Sequence, residues 1–483
     1  MMTIRIPPLD LNPVFQAHPY ARIALESLLR QGHLAVLVGG VVRDAMRAQL
    51  EKDYVFAPAE VDIATAATPD QVKGALPDWP SKDVGKAFGV TIVTAPDGRC
   101  YEIATFRSES DYDGRRPGRV ELIRSLEADL LRRDFTVNGM AAHLDGTVVD
   151  RVGGIDDLRQ KRIRAIGDPL QRFAEDHLRM LRAVRFACSL EADIEPCTAR
   201  AIRSQADKIL RISPERLREE LFKMLTTRQA CRGVRWLDEL GLLAEILPEV
   251  CALKGVPQPA QYHPEGDVFV HTLLALEWAD RLHMPALTKL CALCHDLGKP
   301  QALVQNQGQH MGGHELISEG LAIRIGGRLR LSAAETALLT FTAREHMRIA
   351  RFPEMAQAKR LRLLQSTRAA GKSEPFSEKF PALAMLLQVL ICDAQASVHR
   401  SSAWLPVVQE VVACALRLRD LEQQELAHKL LDGNDLLALG LAPGPQVGRV
   451  LRKVYELIYA GKINSRNQAL RAARALARSS EPE

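Results

Sequence analysis

The chain has 483 residues, a length at which we expect three or four domains rather than one. Hydrophobic residues make up 47% and charged residues 25% of the sequence, which is typical of a soluble globular protein. No stretch reaches the length of a transmembrane helix, and the nine cysteines lack the spacing of a disulfide framework. This excludes a membrane-spanning or disulfide-stapled protein, and we expect a cytoplasmic one without a membrane partner.

The first predicted elements are a short apolar strand at Ala35–Val38, a glycine turn and a helix. The turn consists of Gly39 and Gly40, and Arg43 lies in the first turn of the helix. Glycines allow backbone N–H groups to approach a phosphate closely, and a helix N-terminus favours negative charge. These three residues are therefore candidates for binding a triphosphate. A plain strand-to-helix turn is the alternative for the two glycines.

Two carboxylates follow, Glu60 and Asp62, on a short apolar strand predicted at 61–64. Alternation along a strand places both side chains on one face, where they can share divalent cations. A phosphate cradle followed by paired carboxylates is what nucleotidyl transfer by two metal ions requires. We therefore predict that Glu60 and Asp62 are catalytic and bind Mg²⁺. Asp53 is the alternative to Glu60.

The remaining elements divide the chain by type. Further strands are predicted at 89–95, 100–106 and 141–149, so the first 150 residues are mixed α/β. Beyond Asp168 the apolar spacing is helical nearly to the end, with helices predicted over 175–187 and 214–225. Breaks that contain proline and glycine, at 254–260 and 369–375, indicate domain boundaries.

One acid and one arginine stand out in the helix predicted over 175–187. Asp176 and Arg179 are three residues apart and so share one face of that helix. A carboxylate and a guanidinium in this arrangement can present an acceptor and donors to the Watson–Crick edge of a base. An ordinary surface ion pair is the alternative interpretation.

Five stretches together resemble the class II tRNA nucleotidyltransferase and bacterial poly(A) polymerase family over roughly residues 33–250. They are the glycine turn with Arg43-Asp44, the segment 60–69, the segment 101–107 with Gly114-Arg-Arg-Pro117, the segment 131–141 and the segment 172–186. The resemblance implies that Arg133 supports the nucleotide and that Asp134 orders the site. It also implies that Asp176 and Arg179 select CTP and ATP without a template. The family has aspartate at the position of Glu60, so Glu60 is a departure.

Histidines and aspartates recur in a fixed order farther along the chain, at His271, His295, Asp296, His314, His346 and Asp393. Neutral imidazoles and a bridging carboxylate can hold one or two transition-metal ions, which activate water for attack on a phosphate ester. The set resembles the signature of HD-type phosphohydrolases, and we predict Ni²⁺, Mn²⁺ or Fe²⁺ there. An inactive HD domain kept as a tRNA-binding scaffold is the alternative.

The resemblance implies template-independent addition of C and A, from CTP and ATP, to the 3′ end of tRNA. Alternatives within the family are a bacterial poly(A) polymerase and enzymes that add only CC or only the terminal A. The segment between Arg107 and Pro117 resembles the loop associated with adding A, which argues against a CC-only enzyme. A metal-dependent phosphohydrolase with an RNA-binding head is the alternative from another class.

We therefore predict an α/β nucleotidyltransferase head with a mixed sheet, followed by predominantly α-helical domains that include an HD domain. The predicted boundaries are 1–150 for the catalytic head, 151–253 for a helical neck and body with nucleotide-selection and RNA-binding helices, 261–400 for the HD domain and 401–483 for a helical tRNA-binding tail.

Overall fold

The structure, a computed structural model, describes residues 7–84, 89–115, 117–261, 263–367, 380–397, 402–459 and 462–478. Contacts divide the chain into two compact units, Met1–Arg344 with Cys392–Arg400, and Glu345–Ile391 with Ser401–Glu483. The predicted division into four domains is finer than this and stays a prediction. Among the described residues, no helix has both the length and the apolar character needed to cross a lipid bilayer.

The strands all belong to the first unit. They are β1 (Ala35–Val38), β2 (Asp62–Thr65), β3 (Ser81–Asp83), β4 (Val90–Thr94), β5 (Cys100–Thr105), β6 (Arg107–Tyr112), β7 (Pro117–Leu122), β8 (Met140–Ala142), β9 (Val148–Asp150), β10 (Arg162–Ile163) and β11 (Asp193–Ile194). Seven of them form one sheet in the order β3-β4-β5-β2-β1-β8-β9. β2 and β5 are parallel and the other neighbours are antiparallel, so the sheet is mixed, as predicted.

The centre of the sheet follows from its apolar sequence. All four residues of β1 are buried apolar side chains, which explains why this strand lies between β2 and β8 rather than at an edge. The prediction of a single strand over 141–149 is wrong. Gly146 has a φ of +83°, and its N–H donates to the carbonyl of His143, so a tight turn separates β8 from β9.

Helices make up most of the rest of the chain. In order they are α1 (Asn12–Ala17), α2 (Pro19–Arg30), α3 (Gly40–Leu50), α4 (Pro69–Ala75), α5 (Leu126–Leu131), α6 (Gly154–Arg159), α7 (Pro169–Glu175), α8 (Leu178–Ser189), α9 (Pro196–Ser204), α10 (Pro214–Thr226), α11 (Ala230–Glu239), α12 (Leu242–Ile246), α13 (Pro248–Cys251), α14 (Val268–Arg281), α15 (Ala286–Cys294), α16 (Lys299–Gln305), α17 (His314–Arg328), α18 (Ala333–Ile349), α19 (Gln357–Ser366), α20 (Pro381–Ala396), α21 (Trp404–Leu430), α22 (Gly433–Ala438), α23 (Pro445–Tyr459) and α24 (Arg466–Arg478). Short 3₁₀ turns span Thr136–Asn138, Ala206–Arg211 and Phe352–Glu354.

Proline positions explain several helix starts. α10 has Pro214 at its first position, where the missing N–H costs no hydrogen bond, and the predicted helix over 214–225 is confirmed. In the second unit, α21 to α24 pack around a core that includes Leu431, Leu436 and Val454. The predicted boundary at 369–375 lies outside the described residues.

Candidate active sites

A cleft of about 630 Å³ opens in the first unit where β1, β2 and β5 face α8. Every residue that the sequence predicted for nucleotidyl transfer lines it, namely Gly39, Gly40, Arg43, Glu60, Asp62, Arg133, Asp134, Asp176 and Arg179. The sequence alternative Asp53 lies in an exposed turn and is not among the lining residues. The structure therefore favours Glu60 over Asp53 as the partner of Asp62.

Two features of the turn at the end of β1 favour glycine at position 39: a positive φ and the closeness of neighbouring side chains. Gly39 has a φ of +72° and caps the N-terminus of α3. A Cβ atom at Gly39 would stand 3.4 Å from Asp62 Oδ2 and 3.6 Å from Arg133 Nη1. The left-handed conformation and these neighbours favour glycine, so the turn brings backbone next to a carboxylate and a guanidinium at a helix N-terminus.

A chain of charged and amide side chains fixes Arg43. Its guanidinium donates to both Asp44 oxygens, at 2.8 and 2.9 Å, and to Asn138 Oδ1 at 2.8 Å. Asn138 donates in turn to Asp134, which accepts two hydrogen bonds from Arg182 at 2.9 and 2.7 Å. Burial by itself would raise the pKa of Asp134, but the Arg182 guanidinium lowers that pKa to about 2. Asp134 thus stays ionised and accepts hydrogen bonds from Arg182. This contact fixes α8 against the wall of the cleft.

Three carboxylates meet beside the glycine turn, and the sequence predicted two of them. Asp62 and Glu102 are register partners on the parallel strands β2 and β5, and Glu60 precedes β2. Desolvation by the cleft walls, then the Glu102 and Glu60 charges, raise the pKa of Asp62 to about 6 against the lowering effect of Arg133. Hard carboxylate oxygens crowded in this way suit divalent cations, which would relieve the repulsion.

Glu102 was within a stretch that carried the family resemblance, but nothing in the sequence placed it beside Asp62. The alternation of polar and apolar residues along Cys100–Thr105 does put Glu102 on the cleft side of β5, away from buried Tyr101 and Ile103. The missing information was the pairing of β2 with β5, which joins strands separated by about forty residues.

Opposite the carboxylates, the cleft is rich in guanidinium groups. They belong to Arg43, Arg107, Arg132, Arg133, Arg179, Arg182 and Arg185. The ring of Phe186 lies 5.4 Å from the Arg43 guanidinium, 5.2 Å from that of Arg182 and 3.8 Å from that of Arg185. The Nε of Arg133 is buried and has no hydrogen-bond partner among the described residues. A phosphate oxygen would satisfy this donor, so the cleft fits a triphosphate.

The predicted helix over 175–187 is interrupted, which corrects the sequence argument about Asp176 and Arg179. α7 ends at Glu175, Asp176 is extended with φ −145° and ψ 106°, and α8 begins at Leu178. The two residues therefore do not share a helix face, and they do not form the ion pair that was the alternative. Arg216 donates to Asp176 Oδ2 at 2.8 Å, whereas Arg179 donates to Glu175 Oε2 at 2.6 Å. Each side chain is held separately at the cleft wall.

The segment between Arg107 and Pro117 forms the hairpin of β6 and β7, whose tip reaches the break between α7 and α8. The N–H of His177 donates to the carbonyl of Gly114 at 3.0 Å, and Gly114 forms a parallel bridge with Asp176. A Cβ atom at Gly114 would stand 2.5 Å from His177 Nε2, so the two chains are in close contact. Arg116, in the motif 114–117, lies outside the described residues.

A second group of predicted residues comes together on α14, α17, α20 and the turn after α15. His271 Nε2 lies 2.9 Å from Asp393 Oδ1, His295 Nε2 lies 3.1 Å from Asp296 Oδ2, and His314 Nε2 lies 3.3 Å from Asp296 Oδ1. The ligand atoms of His271, His295 and Asp296 are all within 4.8 Å of one another. His346 belongs to the second compact unit, so its part in this site stays a prediction.

The Nδ1 atoms of His271, His295 and His314 all face hydrogen-bond acceptors. Nδ1 faces Glu265 Oε1 at 2.6 Å in His271, the Ala292 carbonyl at 2.7 Å in His295 and the Met311 carbonyl at 2.8 Å in His314. An acceptor at Nδ1 holds the proton there and leaves the Nε2 lone pair for a metal ion. The sequence prediction missed Glu265, although it lies in the short polar segment just before α14.

Charges around the second group suit a cation. Burial by itself would lower the pKa of His271, but Asp393 and Glu265 raise that pKa to about 9. Burial would raise the pKa of Asp296, yet His295 and Lys299 hold it well below its usual range. Lys299 Nζ lies 2.6 Å from Asp296 Oδ2. The donor set of imidazoles and carboxylates fits a divalent transition metal, whose binding would release the Nε2 proton of His271.

Comparisons with known families and solved structures show what the chain is similar to. The family described as "Poly A polymerase head domain" matches residues 35–164, and "Probable RNA and SrmB-binding site of polymerase A" matches residues 193–254. The CCA-adding enzyme of Levilactobacillus brevis is 32% identical over 455 residues, which cover 94% of this chain and 96% of that enzyme. The CCA-adding enzyme of Bacillus licheniformis is 42% identical over 223 residues.

The second of these matches covers 46% of this chain and 54% of the relative, so it spans about half the length of that enzyme. The crystal structure of the Bacillus stearothermophilus CCA-adding enzyme in complex with CTP superposes with a TM-score of 0.56 at 26% identity, covering 97% of this chain and 98% of that one. These matches confirm the predicted head with a mixed sheet followed by a largely helical region. The HD domain stays a prediction.

Proposed function

Since the chain belongs to the family of CCA-adding enzymes, we propose that it adds C and A from CTP and ATP to the 3′ end of tRNA. The observation that carries the proposal is the convergence of Asp62, Glu102 and Glu60 with an arginine-rich triphosphate cradle in one cleft. Neither half would suffice by itself, because nucleotidyl transfer needs both a bound triphosphate and carboxylates that hold cations. A cytoplasmic location is part of the proposal, given nine cysteines without a disulfide framework.

The residues divide the work as follows. Glu60, Asp62 and Glu102 would hold Mg²⁺, which when bound activates a 3′-hydroxyl and neutralises the leaving pyrophosphate. The backbone of Gly39 and Gly40 and the guanidinium groups of Arg43 and Arg133 would hold the triphosphate. Asp176 and Arg179, each fixed by a separate partner, would offer an acceptor and donors to the base. Because the selecting groups belong to the protein, no template strand is needed.

The test uses purified protein, Mg²⁺ and three tRNA transcripts that end before CCA, after C and after CC. Each transcript is incubated with CTP, ATP or both, and the products are sized at single-nucleotide resolution. We expect growth of all three to CCA and no further. Extension that stops at CC, or growth of the CC-ended transcript only, would identify an enzyme with half of the activity. Long A tracts on any RNA would replace the proposal with poly(A) synthesis.

We propose phosphohydrolysis at the second group as a further activity. The observation that favours it is the common orientation of His271, His295 and His314, whose Nδ1 atoms all face acceptors. With Asp296 and Asp393 these residues would hold Ni²⁺, Mn²⁺ or Fe²⁺, which when bound activates water for attack on a phosphate ester. Glu265 would keep His271 in the tautomer that binds the metal. A 2′,3′-cyclic phosphate at a damaged RNA end is the substrate class we assign.

His295→Ala should lower hydrolysis of 2′,3′-cyclic AMP by about 100-fold in the presence of Ni²⁺ or Mn²⁺, because it removes a metal ligand. His310→Ala is the matched control, since His310 is exposed and lies outside the group. Phosphate release is measured alongside nucleotide incorporation, which neither substitution should change. Equal hydrolysis by both variants would overturn the second activity, and the group would then be a structural part of the helical domain.

A further inference from the structure

A cavity between α11 and α14 lies apart from both candidate sites. Its volume is about 470 Å³, within the range of about 300–1,000 Å³ that is usual for small-molecule sites. Among the described residues, none lines both this cavity and the nucleotide cleft. Its charged walls come from the segment before α11, from α11 itself and from the end of α14, and they include Arg228, Arg232, Arg235, Glu277, Asp280 and Arg281.

Helix geometry gathers the arginines of this cavity. Arg232 and Arg235 are three residues apart on α11, so they share one face of that helix. Arg281 is the last residue of α14, and its guanidinium lies 4.9 Å from the centre of the Trp278 ring and 2.6 Å from Glu277 Oε1. These two contacts hold the Arg281 side chain in place. Cations gathered around one cavity repel each other, and a bound anion relieves that repulsion.

The two acids in the walls are already neutralised by other groups. Asp280 is buried, its Oδ2 accepts the N–H of Cys231 at 2.8 Å, and Lys289 Nζ lies 2.6 Å from its Oδ1. Glu277 pairs with Arg281. Asp280 therefore caps the N-terminus of α11 and balances a buried lysine, so its charge does not compensate the remaining arginines.

The remaining arginines lack a buried counter-ion. Arg228 and Arg235 both line the cavity, and neither forms an ion pair with any described residue. Arg232 pairs with Asp193 at 2.5 Å, but Asp193 is exposed to solvent, which weakens the pair. Burial raises the pKa of the Cys231 thiol and the nearby Arg235 guanidinium lowers it, so the Arg235 side chain lies along the cavity wall.

This surplus of positive charge determines the class of ligand. A phosphodiester of RNA carries one negative charge, and a nucleic-acid strand spaces its phosphates along a track rather than gathering them in one cavity. A chain of two or more phosphoryl groups places several charges in the space of one cavity, and guanidinium groups bind phosphate oxygens in pairs. We propose that this cavity is a second phosphate site, separate from the nucleotide cleft, that binds pyrophosphate or the phosphate chain of a nucleoside triphosphate.

The helices around this second phosphate site also carry residues of both candidate active sites. α11 packs against α8, which carries Arg179 and Arg182 of the nucleotide cleft. It also packs against α14, which carries His271 of the second group. A phosphate chain held by Arg235 on α11 and by Arg281 on α14 bridges these two helices. The ligand therefore fixes α11 and α14 to each other without touching either candidate active site.

Chemical modification of arginine locates the ligand directly. The wild-type protein is treated with phenylglyoxal, which reacts with exposed guanidinium groups, and the rate at each arginine is followed by mass spectrometry of peptides. Pyrophosphate at about ten times its dissociation constant should slow modification of Arg228 and Arg235 by about tenfold. Arg200 is the internal control, because it is exposed on α9 beside the Cys197 thiol and lies outside the cavity. Its rate should not change.

Further probes separate the sources of phosphate. ATP without Mg²⁺ should protect the same two arginines, and AMP, with one phosphoryl group, should protect them less. If only one of pyrophosphate and ATP protects, that one is the ligand. Unprotected arginines with both probes would overturn the proposal. Protection by an RNA oligonucleotide without any by pyrophosphate or ATP would also overturn it, and would assign the cavity to a nucleic-acid backbone. Nucleotide incorporation by the same preparation tests the proposed function separately.

A reversal of charge gives an independent readout. Arg235→Glu should abolish the protection of Arg228 by pyrophosphate, because it replaces an unpaired cation in the wall by an anion. Arg200→Glu makes the same change beside the other thiol and should leave that protection intact. Full protection of Arg228 in Arg235→Glu would contradict the proposal. Circular dichroism and thermal unfolding check that both variants are folded, and Arg235→Gln, which removes the charge without reversing it, replaces Arg235→Glu if that variant is unfolded.

Discussion

Asp62→Asn is expected to lower the rate of nucleotide incorporation by about 10³- to 10⁴-fold. Asparagine keeps the size of the side chain but removes the charge that, in the proposed function, would hold a divalent cation next to Glu102, the register partner of Asp62 on β5. A loss of 10³-fold corresponds to about 4 kcal/mol of transition-state stabilisation. The measurement is single-turnover incorporation of labelled CTP into a tRNA transcript that ends before CCA, with enzyme in excess.

Asp53→Asn is the control for that experiment. It makes the same chemical change at Asp53, which the sequence analysis offered as the alternative to Glu60. Asp53 is exposed and lies outside the cleft, so incorporation should stay at the wild-type rate. Glu60→Asp should remain active, since it keeps the carboxylate and introduces the residue that the family resemblance implies at this position. A wild-type rate in Asp62→Asn with a loss in Asp53→Asn would move the metal site to the exposed turn that contains Asp53 and refute the assignment.

Arg179→Ala should lower the preference for CTP over UTP by about 10²- to 10³-fold. A site that recognises a base by hydrogen bonds discriminates strongly, because a mismatched base leaves buried polar groups unpaired. Arg179 is suited to this since Glu175 and two backbone carbonyls hold its guanidinium in place at the cleft wall. The measurement is kcat/KM for each of the four nucleoside triphosphates on the same transcript.

The ratio of these constants separates recognition from structure. If Arg179 only stabilised the break between α7 and α8, its loss would lower kcat/KM for all four nucleotides by one common factor. Arg203→Ala is the matched control, because Arg203 also donates to a backbone carbonyl, that of Glu239, but is exposed on α9. We expect unchanged ratios in this control. Unchanged ratios in Arg179→Ala would show that base selection resides elsewhere.

Local sequence patterns predicted the elements whose structure depends on local forces. β1 is a run of four apolar residues bounded by a glycine, and its predicted ends agree with the structure. α10 is confirmed because proline fixes its start and apolar residues repeat along one face. In both cases the burial of apolar side chains and the backbone preferences of glycine or proline act in the same direction.

The predictions fail where contacts between residues far apart in the sequence determine the structure. Apolar residues at helical spacing continue through Asp176, so periodicity predicted one helix. The break depends on the Gly114 backbone and on Arg216, which are 62 and 40 positions away in the sequence. Glu102 was not predicted as a site residue for the same reason, because the sequence of neither strand shows that β2 pairs with β5. The candidate metal ligands of the second group could be predicted by residue type, but which of them meet depends on contacts between distant positions, such as that of His271 with Asp393, 122 positions apart.

The position of strand β5 has a consequence for how the protein tolerates a change in length. Glu102 and Ala104 face the cleft because of their register, which β2 and β4 fix from both sides. A slip of one residue would turn both side chains inward and bring Tyr101 and Ile103 out. An insertion within β5 would therefore remove Glu102 from the cleft, whereas extra residues in the turn at 96–98 would leave the register intact. Glu102 thus lies beside Asp62 because β5 pairs with β2, and it cannot shift along the sheet unless that pairing changes.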